Sequence, residues 1–192
     1  MTALVAEIVP KQRSRVSVIL VSVAVAIALP QLMHWLGVIA GRESLLAQVL
    51  LPMHIPVLVA GLLGGRLAGL AVGVASPLIS FGISGMPVPA VLPSVLVELA
   101  VLGLTAGLVA STPLPTILKV LVAQVAGRVA RLGWIGLGLP LPAARPQSLS
   151  MTWDAMRVSW PGIVLQLCLI PLLVRIVARH TAGWPTRVSN RL

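Results

Sequence analysis

The chain has 192 residues, 58% of them apolar and 9% charged, with a mean hydropathy of +1.04. A soluble domain carries about a quarter charged residues, so this composition excludes an ordinary globular enzyme. The net charge of +10 would suit nucleic acid, but the bases cluster between apolar runs and at the ends, where membrane topology accounts for them. No nucleic-acid partner is expected.

Residues 1–15 read as a basic amino-terminal segment closed by Lys11, Arg13 and Arg15. The apolar run Val16–Leu36 that follows is too long for a signal-peptide core and predicts a first membrane helix. Two shorter runs, Pro52–Leu63 and Leu67–Phe81, are separated only by Gly64, Gly65 and Arg66. They predict helices that are tilted or covered by neighbours rather than by lipid. Ala90–Ala110, Pro115–Ile135 and Pro161–Ala178 complete the set, and residues 179–192 form a basic tail. The expected fold class is all-α: a polytopic membrane protein whose residues 16–178 form a six-transmembrane-helix bundle.

Lys and Arg accumulate on the cytoplasmic side of a membrane. An internal amino terminus places Lys11, Arg13, Arg15, Arg66, Arg175, Arg179, Arg187 and Arg191 inside, and Arg42, Arg145 and Arg157 outside. That bias predicts both termini cytoplasmic. The external connections are then Gly37–Leu51, Gly82–Pro89 and Gly136–Trp160, longer than the internal ones. The last carries Trp153 and Trp160 and is expected at the membrane interface as a lid. Trp35 and Trp134 fall near the same boundary, where Trp is at home.

Small residues recur at helical spacing as Ala24 with Ala28, Gly69 with Gly73, and Gly103 with Gly107. Such pairs let backbones approach within a bilayer, inside the bundle or against another subunit. Gly61, Gly65, Gly69 and Gly73 also repeat every fourth residue, but the turn at Gly64–Arg66 interrupts the stripe. Cys168, the one cysteine, reads as a small apolar residue, able to form neither an internal disulfide nor a multi-cysteine metal site.

Ionisable groups inside membrane spans are costly, so each one marks a candidate site. Glu98 lies roughly 12 Å from the external end of the fourth span at about 1.5 Å per residue. Arg128 reaches a similar depth in the fifth span, and Gln166 lies slightly shallower in the sixth. Either Glu98 and Arg128 only neutralise each other, or they line a water-accessible pocket in which Arg128 holds a carboxylate by two parallel hydrogen bonds. Arg131, one turn nearer the outside, extends a basic entrance. His54, between Pro52 and Pro56, is either an interfacial residue or a ligand contact. His34 is a weaker candidate, and His180 reads as interfacial. The uncharged turn with Gly85, Met86 and Pro87 suits closure over a small molecule.

Several chemistries have no residues to carry them. The chain lacks a Gly-Lys-Ser or Gly-Lys-Thr phosphate loop, a His-Glu-x-x-His pattern and a Gly-x-Ser-x-Gly elbow. With three histidines and four acids, no metal site, catalytic residue or cofactor is expected.

The strings Leu51-Pro52-Met53-His54-Ile55-Pro56-Val57 with Ala60-Gly61, then Ser76-Pro77-Leu78, Gly85-Met86-Pro87 and Glu98-Leu99 with Gly103 and Gly107, form an ordered set. Ala126-Gly127-Arg128, Pro161-Gly162-Ile163, Gln166 and Ile170-Pro171 continue it. Together they resemble the substrate-binding S components of energy-coupling factor (ECF) vitamin transporters over residues 16–178. The resemblance implies six membrane helices with cytoplasmic termini in a bacterial plasma membrane. It also implies an external pocket for a vitamin or related micronutrient, closed by the loops after the first and third helices. The implied partners are a transmembrane T component and two ATPases, and the S component itself is no enzyme. By position Met53, His54, Met86, Glu98, Arg128 and Gln166 become substrate-binding candidates. Ala24 and Ala28 match the family's Ala-x-x-x-Ala surface for docking the T component. Leu102 stands where an aromatic is common in the family, and Gly65-Arg66 where Gly-Pro is frequent.

The expected function is therefore delivery of a vitamin-like molecule that carries a carboxylate. The rivals are a structural membrane subunit, a stand-alone carrier without ATPases, and an intramembrane enzyme using His54 and Glu98. The enzyme needs those side chains within about 3 Å of each other or of a shared atom, whereas His54 starts its helix and Glu98 lies deeper in another.

Overall fold

The computed structural model describes residues 2–39, 41, 49–137 and 149–180. Every regular element among them is a helix: α1 (Thr2–Ile39), α2 (His54–Gly64), α3 (Arg66–Ser84), α4 (Leu92–Val109), α5 (Thr116–Gly136), α6 (Leu149–Val158) and α7 (Trp160–His180). The protein is all-helical in its described residues, and several of its helices are able to cross a membrane.

Val16–Gly37, Arg66–Ser84 and Leu92–Val109 are long and apolar enough to span, and α6 with α7, bent by 51° between them, makes a fourth if the pair is one span. The other two expected spans fall outside this set for different reasons. Helix α2 has 11 residues, about 16 Å at 1.5 Å each, which is half the hydrocarbon thickness. Helix α5 is long enough at 21 residues but carries Lys119, Arg128 and Arg131.

The charges of α5 are turned inward. Lys119, Gln124 and Arg128 are buried on one face with Val120, Ala123 and Gly127, while Ile117, Leu121, Val125 and Val129 are exposed on the other. A water-soluble helix would show the reverse polarity. Polar groups inside and aliphatic groups outside are the arrangement that lipid favours.

Helix α2 sits at the centre, packed against α1, α3, α4 and α7. Val57, Leu58, Ala60 and Leu63 of α2 join Val72, Leu99, Leu102, Ala106, Val120, Ala123, Ile170 and Val174 in one core. The single-residue link to α3 is Gly65, whose φ of 84° lies in the left-handed region that side chains disfavour. The chain thereby reverses at once and folds the glycine stripe back on itself. A Cβ at Gly61 would stand 2.6 Å from the Gly103 carbonyl oxygen, and one at Gly69 would strike that same carbonyl. One turn further along, Gly73 abuts the Leu99 carbonyl, and Gly107 meets the Arg66 backbone. The small residues of α3 and α4 therefore pack within the bundle, with the helices antiparallel.

Helix α1 is peripheral and contacts α2 and α3. Its Ser22 and Ala26 are buried, whereas Ala24 and Ala28 are exposed among Leu20, Val21, Val25 and Leu32. Gln31 of α1 donates to Ser84 Oγ at 2.7 Å, fastening the end of α3. Helix α6 lies in the stretch expected as a lid. It meets α7 at Ser159, whose backbone N–H still bonds to the Ala155 carbonyl at 3.1 Å.

Candidate functional site

The centre of the site is Glu98, 1% exposed on α4. Its Oε1 lies 2.9 Å from Arg128 Nη1 and 3.3 Å from His54 Nε2, and its Oε2 lies 2.7 Å from Arg131 Nη1. Three helices converge on one carboxylate. Gly127 makes the approach of α5 possible, because a Cβ there would stand 3.0 Å from the Glu98 carbonyl oxygen and 3.2 Å from Leu102 Cβ.

His54 reaches Glu98 because α2 is short. An 11-residue helix that begins at His54 begins inside the bundle, at the level of Glu98. The depth difference expected from sequence does not exist. A carboxylate accepts hydrogen bonds, so the neutral imidazole donates from Nε2 and leaves Nδ1 as an acceptor. That Nδ1 is buried without a partner, as are Nε of Arg128 and Nε of Arg131. No hydroxyl or thiol of the described residues meets Nδ1. Among the described residues, no three His, Cys, Asp or Glu side chains converge as a metal site.

A second polar network lies one turn along α5. Gln124 Nε2 donates to Gln166 Oε1 of α7, and Gln166 Nε2 faces the carbonyls of Leu50 and Leu51 at 3.5 and 3.4 Å. Leu51 has a φ of 48°, a conformation that costs a non-glycine residue about 1 kcal/mol or more. The Leu51 carbonyl also accepts from the His54 backbone N–H at 3.0 Å. Gly162, one turn before Gln166, allows α7 to touch the Val49 carbonyl. Together Gly162 and Gln166 hold the turn from which α2 starts.

Arg128 has one further contact, Nη2 donating to Ser159 Oγ at 3.5 Å. Ser159 itself donates to the Met156 carbonyl at 3.1 Å. The bend between α6 and α7 thus faces the ion cluster.

No family model, curated protein or solved structure matches the chain.

Of the residues expected in a site, His54, Glu98 and Arg128 come together, with Gln166 in the adjoining network. Met53 is half-buried and packs on the apolar core beside His54. Met86 is 46% exposed in the turn between α3 and α4. His34 and His180 have side chains outside the described residues. The sequence reading placed Arg131 only at an entrance and left out Gln124 and Ser159. A signal for the first two was present: Gln124, Arg128 and Arg131 recur at i, i+4 and i+7, which is one face of a helix. Ser159 had none, because its place depends on the bend.

Proposed function

We propose that the protein is the substrate-binding membrane subunit, or S component, of an ECF-type ABC transporter that imports a vitamin or related micronutrient. The Glu98 cluster carries this reading. Two guanidiniums and one carboxylate, all nearly buried, leave a positive charge with which no other acid among the described residues forms an ion pair. Such an excess is expensive inside a membrane protein unless it serves a solute. The ordered strings that resemble S components, and the inward-turned polar face of α5, support the same function.

Six spans with both termini in the cytoplasm of a bacterial plasma membrane go with this function, α2 being a short span that neighbours cover and α5 a span whose charges face the bundle. The exposed Ala24 and Ala28 suit docking of the T component, and hydrolysis of ATP falls to two partner ATPases. His54 and Gln166 hydrogen-bond the cargo or hold its wall, and the Met86 turn gates it. Native mass spectrometry of the gently purified protein should reveal a retained vitamin-sized mass that is lost in Arg128→Ala. Uptake should require the ATPases in trans; uptake without them would indicate a stand-alone carrier.

A structural membrane subunit is the second reading. It is favoured by the engagement of both Glu98 oxygens by protein donors. Intact assembly with T component and ATPases, combined with no binding across a vitamin panel, would decide for it.

A further inference from the structure

The two arginines of the cluster differ in what they are free to do. Arg128 is 7% exposed and held on two sides, by Glu98 at 2.9 Å and by Ser159 at 3.5 Å. Arg131 has an 11% exposed side chain and, among the described residues, is held by Glu98 alone, through Nη1. It lies almost one turn nearer the end of α5. A guanidinium has five N–H donors in a fork that suits a second planar carboxylate, and the Nε donors of both arginines are buried without partners.

We infer that Arg131 is the residue that receives the cargo, and that the cargo class is a monocarboxylate. This rests on the solute-binding reading above and assigns the part of the solute that the site recognises. Burial and two neighbouring guanidiniums disfavour a charged imidazole at His54, so the cluster of Glu98, Arg128 and Arg131 carries one net positive charge, which one carboxylate neutralises and a dianion would overshoot. Glu98 is then not a cargo contact. It is a positioning residue that keeps Arg128 aligned and serves as the internal counter-ion of Arg131 until a solute carboxylate takes over part of that fork. His54 Nδ1, an acceptor on the ring edge away from Glu98, suits a hydroxyl or amide N–H of the same solute.

The test uses the full chain in detergent with benzoate and benzamide as matched probes, titrated at constant ionic strength while thermal unfolding is followed. Binding to the native state raises Tm, so benzoate should give a saturable rise of a few degrees and benzamide none. Arg131→Gln should abolish the benzoate rise, and Arg131→Lys, which keeps the charge without the fork, should weaken benzoate binding roughly tenfold or more. If Arg131→Gln does not fold, the Lys variant supplies the readout. Equal responses to both probes, no response to benzoate, or an undiminished response in the Lys variant would each overturn the inference. A vitamin panel separates the two levels: tight binding of a neutral vitamin, with no response to carboxylates, overturns the carboxylate assignment and leaves solute binding standing. No binding of any kind overturns both.

Discussion

Removing the Glu98 carboxylate should destabilise the protein more than removing either arginine's contact to it. The side chain is 1% exposed, and two guanidinium nitrogens stand 2.9 and 2.7 Å from its oxygens. With charge centres about 4 Å apart and an effective dielectric of about 20, each attraction is worth about 4 kcal/mol, and the two guanidiniums repel each other. Glu98→Ala forfeits about 8 kcal/mol of attraction, keeps the repulsion, and recovers the several kcal/mol spent on desolvating the carboxylate. The expected net loss is about 3–5 kcal/mol, the range for breaking one side of a buried ion pair. Glu98→Gln retains an acceptor and the side-chain shape, so it should lose less. The assay is reversible unfolding in mixed micelles, with Glu98→Ala measured alone and together with Arg131→Met. Removing the surplus cation should return at least about 1 kcal/mol to the double variant, a coupling typical of contacting residues. A loss below about 1 kcal/mol in Glu98→Ala, or no recovery in the double variant, would mean that water screens the cluster, and the reasoning from burial would fail.

Three further outcomes follow from the geometry. Gly103→Val should cost about 1–3 kcal/mol or more by thermal unfolding, because its Cβ would strike the Gly69 carbonyl. Gly133→Ala, with open space at its Cβ, should stay within about 0.5 kcal/mol. Gln166→Leu leaves the Gln124 amide buried and unpaired, at about 1–3 kcal/mol. The same change should speed hydrogen exchange at the His54 amide, since the turn it bonds to loses its anchor. Gly65→Ala, at a φ of 84°, should cost about 1 kcal/mol or more in Tm-derived stability, whereas Gly82→Ala, at ordinary φ and in open space, should cost less.

That several helices are able to cross a membrane was legible in the sequence, because it depends on composition along a line. Uncharged runs such as Val16–Leu36 have no soluble alternative of that length, and the structure follows them with α1, α3 and α4. Glu98, Arg128 and Gln166 stood out for the same reason: an ionisable or amide group inside an apolar run carries a desolvation cost that one position suffices to reveal. The shared face of Gln124, Arg128 and Arg131 is legible from their spacing too, because a helical face is also a local property.

Which groups meet is not local. The contact between His54 and Glu98 depends on α2 starting inside the bundle, and that depends on the reversal at Gly65 and on the turn at Leu51 held by Gln166. The sequence shows a short apolar run at Pro52–Leu63 but not the depth at which it begins. The close approach of α3 to α4 at Gly69 and Gly103, and the bend that sets Ser159 against Arg128, likewise join residues far apart in the chain. Desolvation cost, a property of each side chain and its immediate neighbours, was readable from sequence; the partners that offset it were decided by tertiary packing, because ion pairs act over a few ångströms and only the fold brings α2, α4 and α5 that close.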